Sequence, residues 1–185
     1  MTIELPDDVQ GLIRTAQPPG LGPERREGVW DEAEVRRAVV AAVPESGARA
    51  SRLPLVEALV LLWHDHLDAS HQLVQDLTSG EGSWIHAIMH RREPDYWNSK
   101  YWYRRVGGHP AFETLATEVG NELGKEFASP RLRKVLMGGR WVAFAMVDAV
   151  ETAVAAGPGS STYATLLRAQ ELEFRALLAH CALRL

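Results

Sequence analysis

Residues 53–77 read LPLVEALVLLWHDHLDASHQLVQDL, and the reading of this stretch decides the fold. It has no glycine, carries proline only in its first turn, and is rich in Leu, Ala, Gln and His without a β-branched run, so it predicts one long helix. At about 100° per residue, Glu57, His64, Asp68, His71 and Gln75 follow one another at spacings of 7, 4, 3 and 4 and line a single polar stripe. The rest of the rod is apolar and needs neighbours, which makes it the expected centre of the molecule.

Downstream, TSGEG at 78–82 breaks the pattern and a second helix is predicted over 83–92. Its polar stripe is His86, His90 and Glu93, at spacings of 4 and 3, flanked by Trp84, Ile85, Ile88 and Met89. Glu93 precedes Pro94 and is pushed out of the α region, ending that helix. Asp95 then N-caps a third through about residue 106, closed by Gly107 and Gly108.

Upstream, Asp31 and Glu34 form a capping box for a helix over 31–43 with Val35, Ala38, Val39 and Ala42 on one face, stopped by Pro44 and followed by an SGARAS loop. A short helix is expected within 6–17. Residues 18–28, with three prolines and three glycines, read as an exposed, flexible connector. The remaining punctuation predicts helices over 109–123, 130–137, 140–156 and 161–185, with Gly138-Gly139 a kink or a break. No segment alternates with a sustained period of two between turn signals, which argues against strands. The expectation is an all-α, single-domain bundle (1–185) of about seven to eight helices around the long helix at 53–77.

Composition narrows the functional classes. The chain has 185 residues, 46% apolar and 24% charged, with a formal net charge of −4, so it lacks the basic field that draws proteins to nucleic acid. The N-terminal MTIELPDDVQ has neither a basic nor an apolar leader region, and the apolar runs carry internal charges, so no membrane partner is expected. A lone Cys181 cannot form an internal disulfide and suits a reducing, cytoplasmic location.

Residues 63–105 hold five of the seven histidines and four of the six tryptophans, a density beyond what a core needs. If the helices at 53–77 and 83–92 form a hairpin about TSGEG, His71 faces the span from His86 to His90, and Asp68 can join them. Three imidazoles and a carboxylate suit a divalent metal, zinc or ferrous iron. Without a metal, the same groups suit acid–base work, with one of His71, His86 or His90 as the proton carrier and a neighbouring carboxylate fixing its tautomer. The simpler explanation of both stripes is the solvated face of an amphipathic helix. Arg91, Arg92, Arg104 and Arg105 bracket Tyr96, Trp97, Tyr101, Trp102 and Tyr103; guanidinium forks beside aromatic faces suit a small anionic ligand, though helix C-termini also favour arginine and aromatics at helical spacing also build cores. There is no G-x-S-x-G elbow, no P-loop and no strand-borne G-x-G-x-x-G, which disfavours triad hydrolases and nucleotide binders.

The run from His86 to Gly107, HAIMHRREPDYWNSKYWYRRVG, preceded by WHDHLDASH from Trp63, resembles a protein family without an assigned activity whose pattern is D-x-x-H followed by H-x-x-x-H-R-x-E-x-D-x-x-N-x-x-Y-W-[YF]-R-R. The matching positions here are Asp68, His71, His86, His90, Arg91, Glu93, Asp95, Asn98, Tyr101, Trp102, Tyr103, Arg104 and Arg105, about a quarter of the chain. The resemblance implies that they form one site and implies no reaction.

Taken together, these residues predict an enzyme acting on a small, anionic molecule. His71, His86, His90 and Asp68 hold a divalent metal, or His71, His90, Glu93 and Asp95 do the chemistry, while Arg91, Asn98, Tyr101, Trp102, Arg104 and Arg105 bind the ligand. A non-catalytic binding module using the same arginines, or a structural homo-oligomer joined through the aromatic segment, are the alternatives.

Overall fold

The computed structural model describes residues 3–43, 52–130 and 132–183. Among them the order is α1 (Asp7–Gly11), α2 (Glu32–Ala42), α3 (Leu53–Trp63), α4 (Leu67–Val74), α5 (Gly80–Arg92), α6 (Tyr96–Val106), α7 (Ala111–Phe127), β1 (Leu136–Met137), β2 (Arg140–Trp141), α8 (Ala143–Ala156) and α9 (Ser161–Leu183). The protein is an all-α helical domain with one minimal hairpin. Its buried apolar residues, from Ile3 to Ala182, form a contiguous cluster. No helix among the described residues is long and apolar enough to cross a membrane.

The stretch 53–77 is two helices, not one. Asp65 adopts φ 66° and sends the chain off the axis of α3. The break is a Schellman turn: His66 N–H donates to the Leu61 carbonyl at 2.9 Å and Asp65 N–H to the Leu62 carbonyl at 3.3 Å. Glycine usually takes the left-handed position; aspartate tolerates it better than most residues. Here the carboxylate of Asp65 accepts from Arg26 Nε at 2.8 Å and Arg92 Nη2 at 2.7 Å, and Arg92 Nη1 also reaches the Leu62 carbonyl at 2.6 Å. The two guanidiniums therefore close the end of α3, and both come from distant parts of the chain.

The break moves the centre of the fold. Every residue of α5 from Gly82 to Arg92 is buried, including His86, His90, Arg91 and Arg92. With α3, equally buried from Val56 through Trp63 apart from Glu57, α5 forms the middle of the bundle. The hairpins α3–α4 and α5–α6 repeat one another at an offset of 29 residues. Positive φ falls at Asp65 and at Pro94, and Asp95 N–H reaches the His90 carbonyl as His66 N–H reaches that of Leu61. Ser70 Oγ donates to the Ala58 carbonyl at 2.8 Å and Ser99 Oγ to the Ala87 carbonyl at 2.7 Å.

Other expectations change in detail. The capping box of α2 forms as read, with Glu34 N–H on Asp31 Oδ1 at 2.7 Å and Asp31 N–H on Glu34 Oε2 at 2.8 Å. Pro44 and the SGARAS loop lie outside the described residues. α5 starts at Gly80, three residues early, because Ser79 Oγ accepts from Gly82 N–H and caps it. The segment 18–28 is irregular, as its prolines and glycines require, yet it is anchored rather than a free connector. Leu21 is wholly buried, the Gln170 amide donates to the carbonyls of Pro19 and Gly20, and Arg92 Nε donates to that of Gly22. Residues expected to make a helix over 130–137 turn instead into the β1–β2 hairpin, with Leu136 opposite Trp141. Gly138 and Gly139 have φ 60° and 74°, the paired positive values of a type I′ turn, so this glycine pair specifies a reversal.

Candidate functional site

The seven histidines separate into two kinds by what their ring nitrogens touch. His64 is wholly buried: its Nδ1 accepts from Trp30 N–H at 3.1 Å, its Nε2 lies 2.9 Å from the Leu12 carbonyl, and its ring stacks on Trp30. Both nitrogens are used, with the proton on Nε2. His66 Nε2 bonds the Trp30 carbonyl at 2.9 Å. His180 Nε2 lies 3.1 Å from Glu81 Oε1, and His109 Nε2 lies 3.9 Å from the same oxygen. This glutamate and two histidines could also hold an ion. However, His109 Nδ1 accepts from Ala111 N–H at 3.3 Å, so the ring proton is on Nε2, facing Glu81. His109 then presents an N–H toward the carboxylate while His180 hydrogen-bonds it, and the trio reads as a clasp between the start of α5, the α6–α7 loop and α9.

His71, His86 and His90 are the other kind. One ring nitrogen from each lies within 4.8 Å of the others, where α4 meets α5. His86 and His90, one turn apart on α5, are nearly parallel with centroids 4.9 Å apart, and His71 meets them edge-on at 4.7 and 5.2 Å. Nδ1 of His86 and Nδ1 of His90 are buried without a hydrogen bond among the described residues. Burial, with the nearby His90 and His71, pushes His86 down to about 3. Burial also lowers His90, against the carboxylates of Glu93 and Asp95. At neutral pH both rings are therefore neutral, the state in which imidazole binds a metal. Trp102 lies flat on His86 with centroids 3.7 Å apart, and Arg105 covers the Trp102 ring at 5.2 Å.

The carboxylates expected beside these rings fall differently. Glu93 Oε2 lies 3.2 Å from His90 Nδ1, off the direction a ring N–H needs for a hydrogen bond. Asp68 is exposed on the first turn of α4 and stands outside the three-histidine group, so its place among the ligands is corrected: the break at Asp65 ends the shared stripe with His64 and turns Asp68 to the surface. Asp95 is exposed and N-caps α6 through Asn98 N–H at 3.2 Å, while the Asn98 side-chain amide bonds the same carboxylate. Both are tied to the cap rather than to the histidines.

The arginine-lined pocket is largely dismantled. Arg91 is wholly buried, with Nη2 2.5 Å from Glu173 Oε2 and 3.1 Å from Gln170 Oε1, and Nη1 2.9 Å from Tyr103 Oη. Arg92 is equally buried against Asp65. Neither presents a fork to solvent, because a buried guanidinium must be paired and hydrogen-bonded within the fold. Arg104 and Arg105 are exposed, the first over Phe144 and the second over Trp102, and Tyr101 is half out on the same helix. Of the expected ligand-binding residues, Trp102 contacts the histidine group and Arg105 stands behind it.

Glu173 and Gln170 on α9 are the polar residues the sequence reading missed. Glu173 also accepts from Trp84 Nε1 at 2.9 Å and Tyr103 Oη at 2.6 Å, which binds α5, α6 and α9 into one buried network. Burial and the adjacent Glu173 carboxylate drive the Tyr103 hydroxyl well above its usual range, while Glu173 holds Arg91 above its own despite burial. The missed signal was periodicity: Leu166, Ala169, Gln170, Glu173 and Leu177 share one helical stripe, so two polar groups sit in the middle of an apolar face. No protein-family model, no curated protein and no solved structure matches this chain.

Proposed function

We propose that this protein is a metal-dependent enzyme acting on a small molecule, with His71, His86 and His90 holding one divalent transition metal, zinc or ferrous iron. The observation that carries the reading is the contrast among the histidines. Four are engaged with carbonyls or a carboxylate, whereas His86 and His90 keep a buried Nδ1 without a hydrogen bond beside the ring of His71. A buried polar atom left unpaired costs about 1–3 kcal/mol, and the cost disappears if the imidazoles serve as ligands. Metal–nitrogen bonds of about 2.0–2.1 Å would require the rings to draw together from their present spacing.

Three imidazole ligands leave at least one position of such a metal open, the arrangement of catalytic rather than structural sites. The metal would supply Lewis acidity, lowering the pKa of a bound water toward 7. Trp102 shields one face of His86. A cytoplasmic setting agrees with Cys181, a buried free thiol pushed up to about 12 by burial.

Metal content by plasma mass spectrometry on tag-free protein tests the reading. Near-stoichiometric zinc, iron or manganese in the wild type, lost in both His71→Ala and His86→Ala but kept in His180→Ala, is the expected result. A protein that stays metal-free after being offered those ions overturns it.

A further inference from the structure

A cleft of about 650 Å³ opens between the α6–α7 loop, the first turns of α7, the β1–β2 hairpin and the start of α8. None of His71, His86 and His90 lines it, so it is separate from the three-histidine group. The volume is that of a site for a small organic molecule. Its walls are aromatic, with Phe112 from α7, Trp141 from β2 and Phe144 from α8. Met137, 57% exposed on the hairpin, extends the apolar lining toward solvent.

Polar groups on these walls lack partners within the fold. Trp141 is only 7% exposed, and its indole Nε1 is buried without a hydrogen bond. A buried donor is nearly always paired, so an acceptor is owed to it. The indole is carried by a hairpin of two residues per strand, the least constrained wall of the cleft. Glu113, in the first turn of α7, and Arg140, on β2, are both exposed and both line the cleft. Neither has an ion-pair partner among the described residues, and they are the only charged side chains on its walls there.

Opposite charges on two walls of an aromatic cleft select by charge as well as shape. A simple anion meets Glu113 and a simple cation meets Arg140, whereas a molecule that carries both charges is matched twice. We propose that this cleft binds a small zwitterion with an aromatic body, an aromatic amino acid being the simplest. Its carboxylate lies on Arg140, its ammonium on Glu113 and its ring among Phe112, Trp141 and Phe144. The Trp141 indole N–H adds a donor from within the apolar wall.

Calorimetric titration near neutral pH with phenylalanine, phenylpropionate and phenethylamine tests this, since the three share a ring and carry both charges, the anion alone and the cation alone. Phenylalanine should bind about five- to tenfold more tightly than either of the others, as expected for one additional charge-assisted contact. Arg140→Gln should weaken phenylalanine by that factor without weakening phenethylamine, and Glu113→Gln should do so without weakening phenylpropionate. Both changes are at exposed positions, so they report recognition rather than folding. In nitrogen-15 spectra the Trp141 indole resonance, identified by its loss in Trp141→Phe, should move saturably with phenylalanine. Equal affinity for the three probes, tighter binding of a singly charged one, no binding of any, indifference to either glutamine substitution, or an unmoved Trp141 resonance at saturation overturns the proposal. The outcome is independent of metal content, because no residue of the cleft belongs to the three-histidine group.

Discussion

Asp65 and Arg92 meet at 2.7 Å with neither side chain accessible to solvent, and the same aspartate turns the chain between α3 and α4. Removing one partner of a buried pair leaves the other charge uncompensated, at a cost of about 3–5 kcal/mol. Asp65→Ala should lose about that much in chemical denaturation. Asp65→Gly should lose less, because glycine accepts φ 66° without strain and this relief offsets part of the stability lost with the ion pairs. Equal losses in the two variants would show that the left-handed turn contributes little.

Tyr103, Trp84 and Arg91 all donate to Glu173, so a change there should be felt on three helices. Tyr103→Phe removes the donor to Glu173 and the acceptor of Arg91 Nη1 and should cost about 1–3 kcal/mol. Glu173→Leu strands the Arg91 charge and should cost about 3–5 kcal/mol or prevent folding. Denaturation midpoints of the two variants check the order; a Glu173→Leu protein as stable as Tyr103→Phe would contradict it.

Gly82 sits against Leu77 in the turn between α4 and α5. A Cβ there would lie 2.5 Å from the Leu77 carbonyl oxygen and 2.6 Å from Leu77 Cβ, and the carbonyl cannot swing aside like a side-chain tip. Although alanine gains about 1 kcal/mol over glycine in helix propensity, Gly82→Ala should be destabilising by about 1–3 kcal/mol. A thermal melt decides it, since propensity alone would raise the midpoint.

Acid should weaken the fold in two stages. Burial lowers His64 below its ordinary 6.5, aided by Arg26 and His66 and opposed by its bond to the Leu12 carbonyl. The unfolded chain therefore takes up a proton below 6.5 that the folded ring refuses. The stabilisation is complete above 6.5 and declines as pH falls toward the folded value, by up to about 1.4 kcal/mol per pH unit. Asp65 behaves as an acid: burial raises it, but Arg26 and Arg92 hold it below 3.8, so its contribution is present above 3.8 and lost as pH falls through the folded value. Denaturant midpoints from pH 7.5 to 5 should fall less steeply for His64→Gln than for wild type. Parallel slopes would mean that His64 titrates alike in both states.

Most helices were legible because their ends are written locally. Asp31 with Glu34, Asp95 before α6, and Gly107 after it are short-range signals whose partners lie within a few residues. The meeting of His71 with His86 and His90 was legible for a similar reason, since two helical stripes joined by one short turn have few registers open to them. The β1–β2 hairpin was missed although its glycine pair was visible, because a two-residue strand leaves no alternation to detect.

The sequence by itself determined an all-α chain and a histidine-rich helical pair, because helix propensity, capping and period 3.6 act within a turn or two. Only the tertiary structure decided that 53–77 is broken, that α5 is central, and that Arg91 and Arg92 face inward. Each of those outcomes depends on a partner far along the chain: Arg26 and Arg92 reach Asp65 from 39 and 27 residues away, and Glu173 reaches Arg91 across 82. A charged residue on a helix looks the same in sequence whether it meets water or a buried counter-charge, and the desolvation that separates the two cases exists only once the helices have packed.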